Sequence, residues 1–297
     1  MCEKFNVESE FTGLATTEIE EICAAERINA SKRRRNKNKT NNWSMDELVA
    51  LAGKDAASMK SRGIRWTSIV EKTYPPLLRE IYDPPAVLFY RGILPAPETF
   101  FVAVVGTRKP CPAAARWAYT AARELSQAGV VVVSGMALGI DAMAHRGCVD
   151  AASTGGFYGG YGGADSGANT QSTAAPTAAV LGSSVDEVYP ASNRALARRI
   201  IETGGVLLSE YPYGTAPEKW HFPARNRIIS GLCRCTVVVE AGEKSGALIT
   251  AGFAIEQNRD LYIAGGANAF GAGAQQLAGE GAKMVYNSGD ILAELAS

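Results

Sequence analysis

An α/β fold, with a mostly parallel sheet covered by helices on both faces, follows from three features of this 297-residue sequence. From Phe100 onward, short apolar runs alternate regularly with helical patterns. The runs are nearly continuous rather than alternating, as in strands buried on both faces. Most of them end in glycine or serine followed by a polar turn, at the place where a strand hands over to a helix. Together these describe an extended Rossmann-like architecture. Its crossovers should be right-handed, and its ligands should bind outside the carboxyl ends of the strands.

Residues 1–42 form a poorly patterned basic tail. Glu18 to Ile28 suits a short acidic helix, and Lys32 to Lys39 is a cationic run that reads as a solvated tail or a nucleic-acid arm. Residues 43–95 are expected to hold a small N-terminal helical element and a Pro-rich connector. Ser44 and Glu47 make a capping box ahead of Leu48, Leu51 and Ala52, and residues 44–73 read as helical. Pro75, Pro76, Pro84 and Pro85 forbid a long helix next, and Val87–Tyr90 is a short strand-like run. Residues 96–297 carry the alternation. Strands are expected at Val102–Val105, Val130–Val133, Ala178–Leu181, Val206–Leu208, Thr236–Val239 and Leu261–Ala264. Helices are expected at Ala113–Gln127, Gly139–Ala151, Asn193–Glu202, around Arg225, at Ala247–Gln257 and from Gln275, and Met284–Tyr286 and Ile291–Leu295 close the chain. Ser153–Pro176, rich in Gly, Ser and Thr, interrupts the rhythm as a flexible insert; Phe157, Tyr158 and Tyr161 within it are able to stack on bases.

Composition bounds the function. Formal net charge is zero, so any polyanion site is local rather than a basic coat over the molecule. Of six cysteines only Cys233 and Cys235 are close in sequence, and with two histidines no Cys/His metal site is expected. The thiols read as reduced core fillers in a cytoplasmic protein. No membrane-spanning run or signal-peptide core is present in the sequence, and no cofactor is called for.

Four motifs sit at strand ends. Gly106-Thr107-Arg108 offers a tight turn, helix-start amides and a bidentate cation for a phosphate. Ser134-Gly135 precedes Gly139-Ile140-Asp141 and forms a second backbone cradle, with Ser134 as a hydroxyl donor. A dinucleotide site wants an acid just after this strand, and its absence weighs against NAD. His145 reads as a packed helix histidine. Arg225-Asn226-Arg227 places two arginines at i and i+2, which point to different sides of a helix. One is expected to face a ligand and the other an internal carboxylate such as Glu210 or Glu240. Lys244-Ser245-Gly246 puts an N-cap serine and a lysine at the positive end of a helix dipole. No Walker pattern and no nucleophile elbow accompanies them, so no catalytic residue is assigned.

In order along the chain, Tyr74-Pro75, Asp83-Pro84-Pro85, Gly106-Thr107-Arg108, Ser134-Gly135, Ala144-His145, Tyr189-Pro190, Ser209-Glu210-Tyr211, Phe222 to Ile229 and Ser245-Gly246-Ala247-Leu248-Ile249-Thr250 match one pattern. Over about residues 60–295 the chain resembles the DNA-processing protein A (DprA/Smf) family of bacterial recombination mediators. The resemblance implies binding of single-stranded DNA, protection of incoming strands in natural transformation, loading of the RecA recombinase, and a homodimer without catalytic activity. It further implies that Arg108, Arg225 and Arg227 contact phosphates; Gly106, Thr107, Ser134, Gly135, Asn226, Ser245 and Gly246 complete the expected DNA-binding set, and Lys244 joins it on charge and position. The chain departs from the pattern at Leu138 and Ala191, where many relatives carry basic residues; Arg194 is a candidate substitute for the second. A C-terminal winged helix is not expected. The alternative is a Rossmann-like nucleotide phosphoribohydrolase using Glu210 or Glu240, although Ala264-Gly265-Gly266-Ala267-Asn268 lacks the acid that class requires. A scaffold that binds RecA without DNA is the third possibility.

Overall fold

The computed structural model describes residues 55–153, 177–265 and 271–296. The basic tail, the Ser44–Glu47 capping box, nearly all of the Gly-rich insert and most of the Ala264–Asn268 turn lie outside the described residues.

The described strands form one nine-stranded sheet in the order β1-β2-β6-β5-β4-β3-β7-β8-β9. They are β1 (Ile64–Ser68), β2 (Val87–Gly92), β3 (Phe101–Val105), β4 (Val131–Ser134), β5 (Thr177–Val180), β6 (Val206–Ser209), β7 (Cys235–Val238), β8 (Asp260–Ala264) and β9 (Lys283–Val285). The β1–β2 and β2–β6 pairings are antiparallel, and all the others are parallel. The alternation read from Phe100 onward is therefore reproduced strand by strand.

One expectation changes. Ile64–Ser68 is a strand, not part of a helical element; residues 55–61 are helical, and the helix stops before Gly63, whose φ is +67°. A left-handed glycine ends the helix, and Ile64, Trp66 and Thr67 then favour extended backbone. Because β1 and β2 pair onto β6, the segment before residue 96 extends the large sheet.

Helices cover both faces: α1 (Pro76–Arg79), α2 (Pro112–Gln127), α3 (Ile140–Ser153), α4 (Arg194–Glu202), α5 (His221–Gly231), α6 (Gly246–Glu256), α7 (Ala272–Gly279) and α8 (Ser288–Ala296). Side chains alternate across the pleat, so every residue of β3 is buried against one layer or the other. Ala103 and Val105 join Val133, Val180, Ile228, Ile229 and Ala251 beneath α5 and α6. Val102 and Val104 join Ala118, Ala122, Ile140 and Ala144 beneath α2 and α3. From β3 the chain runs outward through β4, β5 and β6, then crosses back to place β7 on the opposite side of β3. The order reverses between β3 and β7, where the crossover helices diverge and leave a crevice at the carboxyl ends.

Candidate functional site

A cleft of about 850 Å³ opens at that reversal point. Its lining comes from four places: the turn Gly106–Lys109 after β3, Asp141 on α3, the start of α5 with Lys219 just ahead of it, and Lys244-Ser245-Gly246 ahead of α6. Tyr189 completes one side. Arg108, Lys109, Lys219 and Lys244 are all exposed.

The turn after β3 is held rigidly. Thr107 N donates to Glu240 O at 2.7 Å, fastening it to the end of β7, and Ile140 N donates to Thr107 O at 3.1 Å. A Cβ on Gly106 would lie 2.6 Å from Ile140. Gly139 has φ +78°, and a Cβ there would strike Thr107 O. The close approach of two turns thus dictates both glycines. The Thr107 hydroxyl accepts from Lys109 N at 3.3 Å, curling the turn so that Arg108 and Lys109 project into solvent.

Beyond β4 the backbone turns inward. The Ser134 hydroxyl is fully buried and donates to Val104 O at 2.7 Å. The amides of Gly135 and Ala137 donate to Asp141 Oδ2 at 3.1 and 3.2 Å. Ser134 and Gly135 therefore stand outside the cleft lining: their donors serve the protein interior, because Asp141, the second residue of α3, captures the free amides of this turn.

Arg225 forms part of the cleft floor but is only 4% exposed. Its guanidinium donates to Gly135 O at 2.9 Å and to Val180 O, stitching α5 to the ends of β4 and β5. A Cβ on Gly135 would lie 2.7 Å from this guanidinium and 2.8 Å from the Asp141 carboxylate, so only glycine fits between them. Burial lowers the Arg225 pKa to about 10 against the opposing pull of Asp141, which leaves it cationic near neutrality. Burial raises the Asp141 pKa, opposed by Arg225. His145, wholly buried, has its pKa lowered to about 3 by burial and by Arg225. Its Nδ1 lies 2.8 Å from Thr177 Oγ1, and that hydroxyl donates to Val132 O at 2.6 Å. The ring is therefore a neutral donor through Nδ1, as expected for a packed histidine.

Arg227 points the other way, as the i and i+2 spacing requires. It meets Glu210 with two bonds of 2.9 and 2.7 Å and Asp83 at 3.0 Å, and it does not line the cleft. Burial works to lower its pKa, but Glu210 and Asp83 outweigh burial and raise it. Glu240 pairs with neither arginine; its carboxylate accepts from Cys111 N at 2.8 Å. Asn226 lines the cleft and accepts from Arg225 Nε at 3.3 Å. Ser245 caps α6 by accepting from Ala247 N at 3.3 Å, and Lys244 stands free in solvent beside that helix start. Arg194 lies outside the cleft lining and pairs with Glu187 at 3.4 Å, while Leu138 and Ala191 are exposed and uncharged.

Sequence reasoning did not single out Lys219 or Phe222 as site residues. Lys219 sits two residues before α5 much as Lys244 sits two before α6, and that parallel was available in the sequence. The single carboxylate in the cleft lining among the described residues is the buried Asp141. Among the described residues no cluster of three or more His, Cys, Asp or Glu could hold a metal, and no helix is long and apolar enough to cross a membrane.

The family model described as DNA recombination-mediator protein A matches residues 65–296. The DNA processing protein DprA of Bacillus subtilis is 36% identical over 242 residues, covering 80% of this chain and 74% of that protein. The X-ray structure of DNA processing protein A from Streptococcus pneumoniae superposes with a TM-score of 0.68 at 30% identity, covering 95% of this chain and 99% of that one. DNA processing protein A from Helicobacter pylori, structurally studied for its single-stranded DNA binding mode, gives a TM-score of 0.62 at 26% identity over 78% of this chain and 96% of that one.

Proposed function

Since the chain belongs to the DNA recombination-mediator protein A family, we propose that it is a single-stranded-DNA-binding recombination mediator whose DNA phosphates lie along the cleft between β3 and β7. The observation that carries this is the set of exposed cations, Arg108, Lys109, Lys219 and Lys244, lining a cleft whose one carboxylate among the described residues is buried. Arg225 contributes a fixed positive charge from beneath, and the helix starts of α5 and α6 add partial positive charge. Arg227 acts as a positioning residue that anchors α5 through Glu210. Phosphate contacts carry no base sequence, so binding is largely sequence-independent.

Further steps of the proposal are protection of incoming strands, RecA loading in natural transformation, a cytoplasmic location and the absence of catalysis. A homodimer, which the family resemblance implies, belongs to the same proposal. Nothing in the geometry favours a phosphoribohydrolase: Glu210 is paired with Arg227, and Glu240 holds the Cys111 amide.

The test is fluorescence anisotropy with single-stranded and duplex oligonucleotides across a salt series. Four neutralised phosphates predict a log–log slope of roughly −3 on single strands. Flat affinity across salt, or a preference for duplex, overturns the proposal.

A further inference from the structure

The cleft holds an aromatic surface that the phosphate contacts do not use. Tyr189 lines it together with the cations and is 53% exposed. Its ring packs at a 46° tilt on Phe222, with centroids 5.4 Å apart. Phe222 is itself seated against Gly182 at the end of β5, where an added Cβ would come within 2.9 Å of the ring. A fixed aromatic buttress therefore holds a second aromatic in solvent. Among the described residues, no hydrogen bond fixes its hydroxyl.

We infer that Tyr189 is a base-stacking residue, and that the cleft selects strands whose bases are unpaired. The inference rests on the single-strand function proposed above and adds the group that discriminates against duplex. Phosphates of both strand types suit Arg108, Lys219 and Lys244 equally. Only an unpaired base can leave its neighbours and lay a face on a ring beside the phosphate track. Every base has such a face, so stacking is tolerant of sequence, and the charge contacts and the ring act on different parts of one nucleotide. Lys219, three residues before Phe222, lines the same cleft as Tyr189 and supplies a cation for the phosphate track.

The experiment compares wild type, Tyr189→Ala and Tyr189→Phe on a thymidine oligonucleotide and on an abasic strand of the same length, across a salt series. Tyr189→Ala should weaken binding to the normal strand by roughly 5- to 150-fold with the salt slope unchanged. It should bind the abasic strand as wild type does, and Tyr189→Phe should behave as wild type throughout. Equal loss on both strands, or no loss on the normal strand, overturns the stacking role while leaving the mediator function standing. Failure of wild type to bind the normal strand in a salt-dependent way overturns both. Thermal melting shows whether each variant is folded; a melting loss shared by Tyr189→Phe assigns the ring to packing and also counts against the inference.

Discussion

Replacing Arg227 with methionine separates a phosphate contact from an internal anchor. The guanidinium makes two bonds to Glu210, with side chains 12% and 18% exposed, while its contact with Asp83 faces a carboxylate that is 72% exposed. The exposed contact contributes about 0–1 kcal/mol. The sheltered one matters more, because removing the arginine strands the Glu210 charge. For fully buried pairs that loss is about 3–5 kcal/mol, so partial exposure here suggests about 2–3 kcal/mol. Arg227→Met should therefore lower the unfolding free energy by that amount and the urea midpoint by that amount divided by the m-value. Adding Glu210→Gln should restore part of it, with a coupling of about 1–3 kcal/mol in the double-mutant cycle. In a salt-titrated binding assay on folded protein, the slope should stay at the wild-type value. An unaltered urea midpoint, together with a slope reduced by about 0.7, would refute the anchor role and return Arg227 to the DNA.

Arg108→Ala and Lys244→Ala should do the opposite, each taking about 0.7 off the single-strand salt slope, with urea midpoints unchanged because both side chains are exposed. His145 makes stability pH-dependent: its folded pKa is depressed to about 3 from 6.5, so the unfolded chain takes up the proton first as pH falls. Stability should drop by about 1 kcal/mol between pH 6.5 and about 5.5, and a His145→Gln variant should lose that component in urea titrations at the two pH values. Gly135→Ala should destabilise by about 2–4 kcal/mol, since the new methyl meets Arg225 and Asp141. Gly242→Ala, which meets open space, should stay within about 0.5 kcal/mol of wild type, both glycine variants being compared with wild type by urea titration.

The parallel part of the sheet was legible because strands buried on both faces are largely apolar, and β3 to β8 are so apart from Ser134, Thr177, Ser209, Thr236 and Asp260. β1 was not legible. Ile64 to Ser68 is short, carries Arg65 and follows a helical pattern; its strand character depends on β2 being available as a partner, which is tertiary information. At the site, the glycine turns and the helix starts were readable from residue type. The i and i+2 spacing showed that Arg225 and Arg227 diverge, but not that both are committed to the protein interior. Which arginine meets a carboxylate depends on Glu210, brought to α5 by the end of β6. Ser134 misled for a related reason: a serine after a strand suits a phosphate donor, and only packing shows its hydroxyl turned onto Val104.

The position of β3 bears on how the chain is made. Its neighbours are β4, which follows closely, and β7, which is synthesised much later. Until Cys235–Val238 leaves the ribosome, one edge of Val102–Val105 has no hydrogen-bonding partner and the Thr107 amide lacks the Glu240 carbonyl. An open apolar edge of this kind invites pairing with other nascent chains. Premature termination before β7 should therefore yield no half-functional product, and a cell making this protein has reason to shield the nascent chain through that interval. The cleft comes into being late and all at once, when the strand that closes the sheet also supplies its second wall.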